Sequence, residues 1–227
     1  VMPVADAVLD GLSALAELSD TAALAPRIVF VTHSIPVDMD EASGTDGHAY
    51  TRQHLAVADA VGDLVSRRLG RSPGWDLVYC SRSGSPRQAW LEPDIGDYLL
   101  DQAKIGVTGV VVVPIGFISD HMEVVHDLDT EAATFADRLG LAFVRAATVG
   151  THPLFVAGLA DLIGERAAQA RGSRCGPGRW DGRCRGLRWR CWIRSPARRS
   201  RPETRASSAC AWRRSTRPAR HWGDRWV

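Results

Sequence analysis

The chain has 227 residues, 45% of them hydrophobic and 24% charged, which is enough for one large domain or two small ones. No apolar run approaches 18 residues, so the sequence predicts no membrane span. The first residues show no basic segment followed by an apolar stretch, so we expect no secretory signal and a cytoplasmic location.

The formal net charge of +2 is the sum of two oppositely charged regions. Residues 1–170 carry 11 Lys and Arg against 23 Asp and Glu, whereas residues 171–227 carry 17 Arg against three acids. Six of the eight Trp and four of the five Cys also lie in the second region. The sequence therefore predicts a folded acidic domain followed by a tail of a different kind.

Short apolar segments alternate with helical periods along the acidic region. The predicted elements, in chain order, are a helix over 4–18, a strand over 27–32, a helix around 57–65, a strand over 76–79, a helix over 94–105, a strand over 107–113, a helix over 121–139, a strand over 141–145 and a helix after Pro153.

The predicted strands are almost continuously hydrophobic, which is typical of strands buried on both faces of a parallel sheet. Their alternation with helices predicts an α/β fold, a doubly wound domain with a mostly parallel four-stranded sheet. In this architecture ligands bind beyond the carboxyl ends of the strands. The residues that follow each strand are therefore the candidates for function.

The segments after the strands lack the common nucleotide and hydrolase motifs. No G-x-G-x-x-G follows the first strand and no G-x-x-x-x-G-K-[ST] is present, which disfavours nucleotide binding. A G-x-S-x-G nucleophile elbow is also absent. Ser34 directly follows His33, and adjacent strand residues face opposite sides, so we do not expect a Ser–His catalytic pair.

Two residues at strand ends indicate a metal site instead. His33 ends the first predicted strand, and Glu123 opens the helix after the third. Imidazole and carboxylate ligands suit a divalent ion such as iron or zinc. Asp127 and Glu131 continue from Glu123 at intervals of four, which places the three carboxylates on one helix stripe. Either a solvated acidic face or a path for a cation explains this stripe.

The segments that follow the strands resemble the second lobe of ferrochelatases, and most closely the bacterial branch that metallates coproporphyrin III. The resemblance runs from about residue 27 to about residue 170. The motifs that carry it, in order, are residues 32–36 (THSIP), 47–50 (GHAY), 79–84 (YCSRSG), 90–94 (WLEPD), 114–123 (PIGFISDHME) and 127–131 (DLDTE).

The resemblance implies insertion of Fe²⁺, as a substrate, into a porphyrin such as coproporphyrin III or protoporphyrin IX, giving a haem and two protons. His33 matches the active-site histidine of the family, and Glu123 matches its partner glutamate. Asp127 and Glu131 match an acidic ridge that carries or stores metal. We expect His33 to be a proton acceptor or an iron ligand, and Glu123 an iron ligand.

The resemblance also implies differences from a whole family member. Residues 1–26 match the connecting helix or hinge, residues 27–170 match the second lobe, and the first lobe has no counterpart. We therefore expect little or no chelatase activity from this chain alone, as for an incomplete copy of a ferrochelatase that lacks the first lobe. Other hypotheses are a module that binds metal or porphyrin without turnover, and a cobalt or nickel chelatase of similar fold. A haem-pathway enzyme is a candidate partner.

The tail, residues 171–227, has no apolar period and is predicted to be disordered. Arg interleaved with Trp is compatible with single-stranded nucleic acid, although we do not expect a nucleic-acid partner. A frameshift in GC-rich DNA explains the Arg, Trp and Cys bias better. A [2Fe–2S] cluster, which some ferrochelatases carry, is a weaker alternative whose ligands in the tail are Cys175, Cys184 and Cys191.

Overall fold

Four short parallel strands form the centre of the structure, a computed structural model that describes residues 1–18, 26–84 and 87–172. Val1–Gln169 constitute one unit. The strands lie in the order β2-β1-β3-β4, and every neighbouring pair is parallel. The predicted fold class is confirmed. The strands are β1 (Arg27–His33), β2 (Trp75–Cys80), β3 (Gly109–Val113) and β4 (Ala142–Arg145).

Helices cover both faces of the sheet, as expected when the strands are apolar on both sides. One face packs against α1 and α3, and the other packs against α4, a π-helix and α5. All five residues of β3 are buried, because its valines contact both layers. The helices are α1 (Met2–Leu18), α2 (Val37–Glu41), α3 (Ala49–Leu69), α4 (Ile95–Lys104), the π-helix (Val124–Ala132), α5 (Ala133–Arg138) and α6 (Pro153–Gly172).

The segment predicted as one α-helix over 121–139 begins as a π-helix and continues as α5. In a π-helix each amide bonds the carbonyl five residues earlier, so the turn is wider than in an α-helix. The buried residues Val124, Leu128 and Ala132 are spaced by four. That spacing fits an apolar face in either kind of helix, which is why the sequence did not distinguish them.

Two strand starts and one short helix also differ from the prediction. The strand predicted over 107–113 starts at Gly109, because the Val107 amide donates to the Gln102 carbonyl and closes the end of α4. The fourth strand starts at Ala142 rather than at residue 141. The short α2 was not predicted, since five residues carry too little periodicity to reveal a helix.

The predicted helix after Pro153 is confirmed as α6, with the proline as its first residue. Within the described residues, no helix combines the length and apolar character that crossing a bilayer requires. The assignment of residues 1–26 to a hinge remains a prediction. The predictions for the tail, including the cluster ligands Cys175, Cys184 and Cys191, concern residues outside those the structure describes.

Candidate metal centre

The carboxyl ends of β1 and β3 lie side by side at the point where the sheet changes its winding direction. The chain passes from β1 outward to β2 and then returns to β3 on the other side of β1. In doubly wound sheets this switch point opens the crevice in which ligands bind. His33 is the last residue of β1, and Glu123 directly precedes the π-helix that follows β3. The topology therefore positions both predicted residues at one crevice.

The His33 and Glu123 side chains face each other across this crevice. The distance from His33 Nε2 to Glu123 Oε1 is 3.8 Å. His33 Nδ1 makes a short hydrogen bond to the Ser34 carbonyl oxygen. Because a carbonyl only accepts, Nδ1 is the donor, and the neutral ring then has an unprotonated Nε2. In its neutral form the imidazole therefore directs the Nε2 lone pair into the crevice that it shares with Glu123.

Hydrogen bonds beneath β1 fix the backbone that carries His33. The Tyr50 hydroxyl donates to the His33 carbonyl oxygen at 2.7 Å and lies 2.8 Å from Thr32 Oγ1. His54 Nε2 lies 3.1 Å from the same threonine oxygen, and His54 Nδ1 donates to the Tyr50 carbonyl at 2.8 Å. Burial raises the pKa of Tyr50, so the phenol stays protonated and keeps donating. The start of α3 thus holds the end of β1.

A buried carboxylate organises the loop between α2 and α3. The Asp40 side chain is only 3% exposed and accepts from the Thr51 amide at 3.1 Å and the Thr51 hydroxyl at 2.9 Å. His48 Nδ1 lies 3.0 Å from the second carboxylate oxygen. Burial alone raises the pKa of Asp40, but the hydrogen bonds from His48 and Thr51 outweigh it and hold the pKa below its usual value.

The lowered pKa of Asp40 predicts a loss of stability in acid. A carboxyl group whose pKa is lower in the folded state contributes stability above its unfolded pKa of about 3.9 and loses it as the pH falls through the folded pKa. We expect Asp40→Asn to lower the free energy of unfolding at pH 7 and to flatten its decrease below about pH 4. Urea unfolding at several pH values measures both effects.

The matched control for this prediction is Asp101→Asn, which removes an exposed carboxylate that pairs with Lys104 three residues away. Exposed pairs of this kind contribute little to stability. We expect the control to retain both the wild-type stability at pH 7 and the wild-type pH dependence. An Asp40→Asn variant with unchanged acid sensitivity contradicts the assignment.

A second group of candidate ligands lies on the π-helix. His126, Asp127 and Glu131 each offer one ligand atom, and these three atoms lie within 4.8 Å of one another. His126 Nδ1 lies 3.2 Å from Asp127 Oδ1 and 3.9 Å from Glu131 Oε2. The structure therefore brings Asp127 and Glu131 together, as the predicted stripe required, and adds His126. Glu123, the first member of that stripe, pairs with His33 and also lies 3.9 Å from His121 Nδ1.

The end of β2 contacts this second group. Ser81 has a positive φ of 61°, a conformation that few residues other than glycine adopt, and its hydroxyl donates to Asp127 in a short hydrogen bond. Burial raises the pKa of the neighbouring Cys80 to about 12, so its thiol stays protonated. A cavity of about 740 Å³ opens beside these residues; its acidic lining residues are Asp94, Asp97, Asp127 and Glu131.

Comparison with known proteins identifies the family to which the chain belongs. The family model described as Ferrochelatase matches residues 3–167, which is most of the chain. The chain belongs to the ferrochelatase family. A coproporphyrin III ferrochelatase of Streptomyces coelicolor is 49% identical over 183 residues, which cover 78% of this chain and 48% of that relative. Another from Propionibacterium freudenreichii is 58% identical over 138 residues, covering 60% and 39%.

This ferrochelatase-family chain spans less than half the length of these two curated relatives. Among solved structures, a cobalamin (vitamin B12) biosynthesis CbiX protein of Marinobacter aquaeolei VT8 superposes with a TM-score of 0.43 at 14% identity. That superposition covers 63% of the chain and 98% of the CbiX chain.

Several residues of the candidate site carried no assigned role in the sequence prediction. Tyr50 lies in a motif that resembles the family, but its hydrogen bond to His33 depends on how α3 packs under β1. Ser81 reaches Asp127 only because its backbone adopts the left-handed conformation. His126 was visible near the acidic stripe, and its side-chain position relative to Glu131 follows from the π-helix.

Proposed function

We propose that this ferrochelatase-family chain supplies the metal-binding side of a site that inserts Fe²⁺ into coproporphyrin III, giving a haem. The observation that carries the proposal is the pairing of His33 Nε2 with Glu123 Oε1 at 3.8 Å in the switch-point crevice. The porphyrin is inferred from the relatives, which are coproporphyrin III ferrochelatases. Iron enters this reaction as a substrate and leaves within the product.

The distance between the two side chains suits one shared divalent ion. Bonds from nitrogen and oxygen ligands to a zinc-like ion are about 2.1 Å each, so two of them span at most about 4.2 Å. A separation of 3.8 Å lies within that span. The half-exposed Glu123 carboxylate contributes a negative charge, and water completes the coordination of the ion before transfer.

His33 is also suited to accept a proton from the porphyrin. Two pyrrole N–H protons must leave as the iron enters, and each needs an acceptor. The hydrogen bond from Nδ1 to the Ser34 carbonyl leaves Nε2 as the basic atom and fixes the ring plane. A neutral imidazole accepts protons effectively near pH 7. As the ion passes from Nε2 and Glu123 to the macrocycle, the Nε2 lone pair becomes free to accept the first pyrrole proton, and the second proton passes to solvent water. His33 then releases its proton to solvent.

The group on the π-helix suits the storage of the incoming ion. His126, Asp127 and Glu131 offer one nitrogen and two carboxylate ligands within 4.8 Å, on the same helix that begins next to Glu123. Imidazole and carboxylate oxygens are suitable ligands for Fe²⁺. Because His126 and Glu131 are more than half exposed, a hydrated ion reaches this group directly from solvent.

Exposed apolar side chains around Glu123 are consistent with a flat, largely apolar substrate. Ile118 is 63% exposed and Met122 is 78% exposed, although both are large hydrophobic residues. They belong to the segment that links β3 to the π-helix, as does Glu123. Covering such side chains with a macrocycle removes apolar surface from water, which favours binding.

A chimera provides the test. In the Streptomyces coelicolor relative, the segment that aligns with residues 3–167 is replaced by those residues of this chain, and Fe²⁺ insertion into coproporphyrin III is followed by absorbance. We expect turnover by the chimera. His33→Ala in the chimera is expected to lower kcat by about 100-fold or more, because a proton acceptor contributes 10²–10⁴-fold.

The control variant of the chimera is His152→Ala. His152 accepts the Leu154 amide at the start of α6 and has no place in the proposed chemistry, so we expect kcat to stay unchanged. A folded chimera that binds both metal and porphyrin but does not turn over supports the alternative, a binding module without activity. A chimera that binds neither contradicts both functions.

A further inference from the structure

Two segments of the candidate site are joined to β4 by one side chain. We propose that Arg145 is a positioning residue, whose guanidinium holds the loop before Glu123 and the π-helix carrying Asp127 and Glu131 in one fixed arrangement. The proposal deepens the proposed function and rests on it for its consequence, because these carboxylates are the proposed metal ligands.

The contacts of Arg145 reach both segments at once. Its Nη1 and Nη2 lie 3.2 Å each from the two carboxylate oxygens of Asp120, in a bidentate pair. Its Nε donates to Asp129 in a short hydrogen bond. Asp120 precedes Glu123 by three residues, and Asp129 lies between Asp127 and Glu131 in the π-helix. The planar guanidinium therefore contacts each site-bearing segment through a different edge.

The arginine end of these contacts is better shielded from water than in an ordinary surface pair, while Asp120 and Asp129 are 45% and 33% exposed. The Arg145 side chain is 17% exposed, whereas surface ion pairs are usually open to water on both partners. The Thr148 hydroxyl also donates to Asp120 at 3.0 Å, and Arg145 Nη1 donates to the Ala146 carbonyl at 3.3 Å. Each nitrogen of the guanidinium thus has an acceptor, and the carboxylate of Asp120 is held from two sides.

The shape of the guanidinium explains why arginine occupies this position. A guanidinium donates in a rigid plane and bonds two carboxylates simultaneously, while a lysine ammonium is a single point charge. A lysine at residue 145 therefore keeps the positive charge but contacts only one of the two segments. Metal ligands whose orienting partners are removed typically lose 10–100-fold in metal affinity.

The test compares Arg145→Ala and Arg145→Lys in the 227-residue chain, with Co²⁺ as the probe. The absorbance bands of bound Co²⁺ report both affinity and ligand geometry. We expect Arg145→Ala to weaken Co²⁺ binding by about 10-fold or more and to change the band shape. We expect Arg145→Lys to recover less than half of the loss in binding free energy. Hydrogen exchange of residues 120–132, measured without metal, is expected to accelerate in both variants.

The matched control is Arg68→Ala, which removes another pair between two elements, Arg68 of α3 with Asp6 of α1. We expect this control to keep the wild-type Co²⁺ affinity, band shape and exchange of residues 120–132, whatever its change in Tm. Unchanged exchange and unchanged Co²⁺ bands in Arg145→Ala overturn the proposal. If the wild-type chain binds no Co²⁺, the proposed metal site is contradicted, while the exchange data still decide whether Arg145 holds the two segments.

Discussion

Replacing Glu123 with glutamine is expected to abolish tight binding of a divalent cation at His33. The substitution keeps the size of the side chain and removes the negative charge that lies 3.8 Å from the imidazole nitrogen. A neutral amide is a poor replacement for a carboxylate ligand, and even loss of an orienting partner reduces metal affinity by 10–100-fold. We therefore expect the Co²⁺ affinity of the 227-residue chain to fall by at least about 100-fold.

The loss should occur without any loss of stability. Glu123 is half exposed, and its side chain lies 3.8 Å from His33 and 3.9 Å from His121, too far for a direct hydrogen bond. The Tm without metal is therefore expected to remain at the wild-type value. Glu92→Gln is the control, because it changes an exposed glutamate that pairs with Arg82 instead. If Glu123→Gln keeps the wild-type Co²⁺ affinity, the ion binds elsewhere. Glu131→Gln then tests whether it binds at the group on the π-helix.

Among substitutions that add one carbon atom near the crevice, Gly116→Ala is expected to give the largest loss of stability. A Cβ at this residue lies 2.1 Å from Thr32 Oγ1 and 2.9 Å from Thr32 Cα. Thr32 is fully buried, and the Gly116 amide donates to the Val31 carbonyl at 3.2 Å. Neither segment can therefore move aside without breaking the hydrogen bonds at the end of β1.

We expect Gly116→Ala to lower the free energy of unfolding by about 3 kcal/mol, near the upper end for overpacking a core. Displacement of Thr32 also disturbs its contact with Tyr50, so Co²⁺ affinity at His33 is expected to fall in the molecules that remain folded. Urea unfolding measures the first effect, and Co²⁺ titration measures the second.

Gly158→Ala is the matched control, since a Cβ there meets nothing within 4 Å in the middle of α6. Alanine is the better helix former by 0.8–1.0 kcal/mol, so the control should be at least as stable as the wild type. If Gly116→Ala proves as stable as Gly158→Ala, the close approach of the two segments after β1 and β3 is refuted.

The fold was predictable because the sheet depends on features that are local in sequence. The continuous apolar runs over residues 28–31 in β1 and 110–113 in β3 are buried on both faces, and such runs identify the strands of a parallel sheet without any knowledge of partners. The choice between an α-helix and a π-helix over 124–132 was not predictable. The choice depends on which carbonyl each amide hydrogen-bonds, while the spacing of the apolar residues is compatible with both kinds of helix.

The candidate site was predictable only where topology alone brings residues together. His33 ends β1, and the segment that ends at Glu123 follows the neighbouring strand β3, so the strand order fixes their proximity. The contacts of Tyr50 and Ser81 depend on how a helix packs under β1 and on one left-handed backbone conformation. Neither property is visible in residue spacing, and each sets the position of a proposed ligand.

The buried thiol of Cys80 bears on which metals the site accepts. Soft ions such as Cu(I) bind best to thiolates, whereas imidazole and carboxylate suit harder or borderline ions such as Fe²⁺. With its pKa raised to about 12, Cys80 offers no thiolate near pH 7, although it ends the strand next to β1. The donors of the proposed site are therefore imidazole nitrogens and carboxylate oxygens, a set that favours borderline ions such as Fe²⁺ over soft ones.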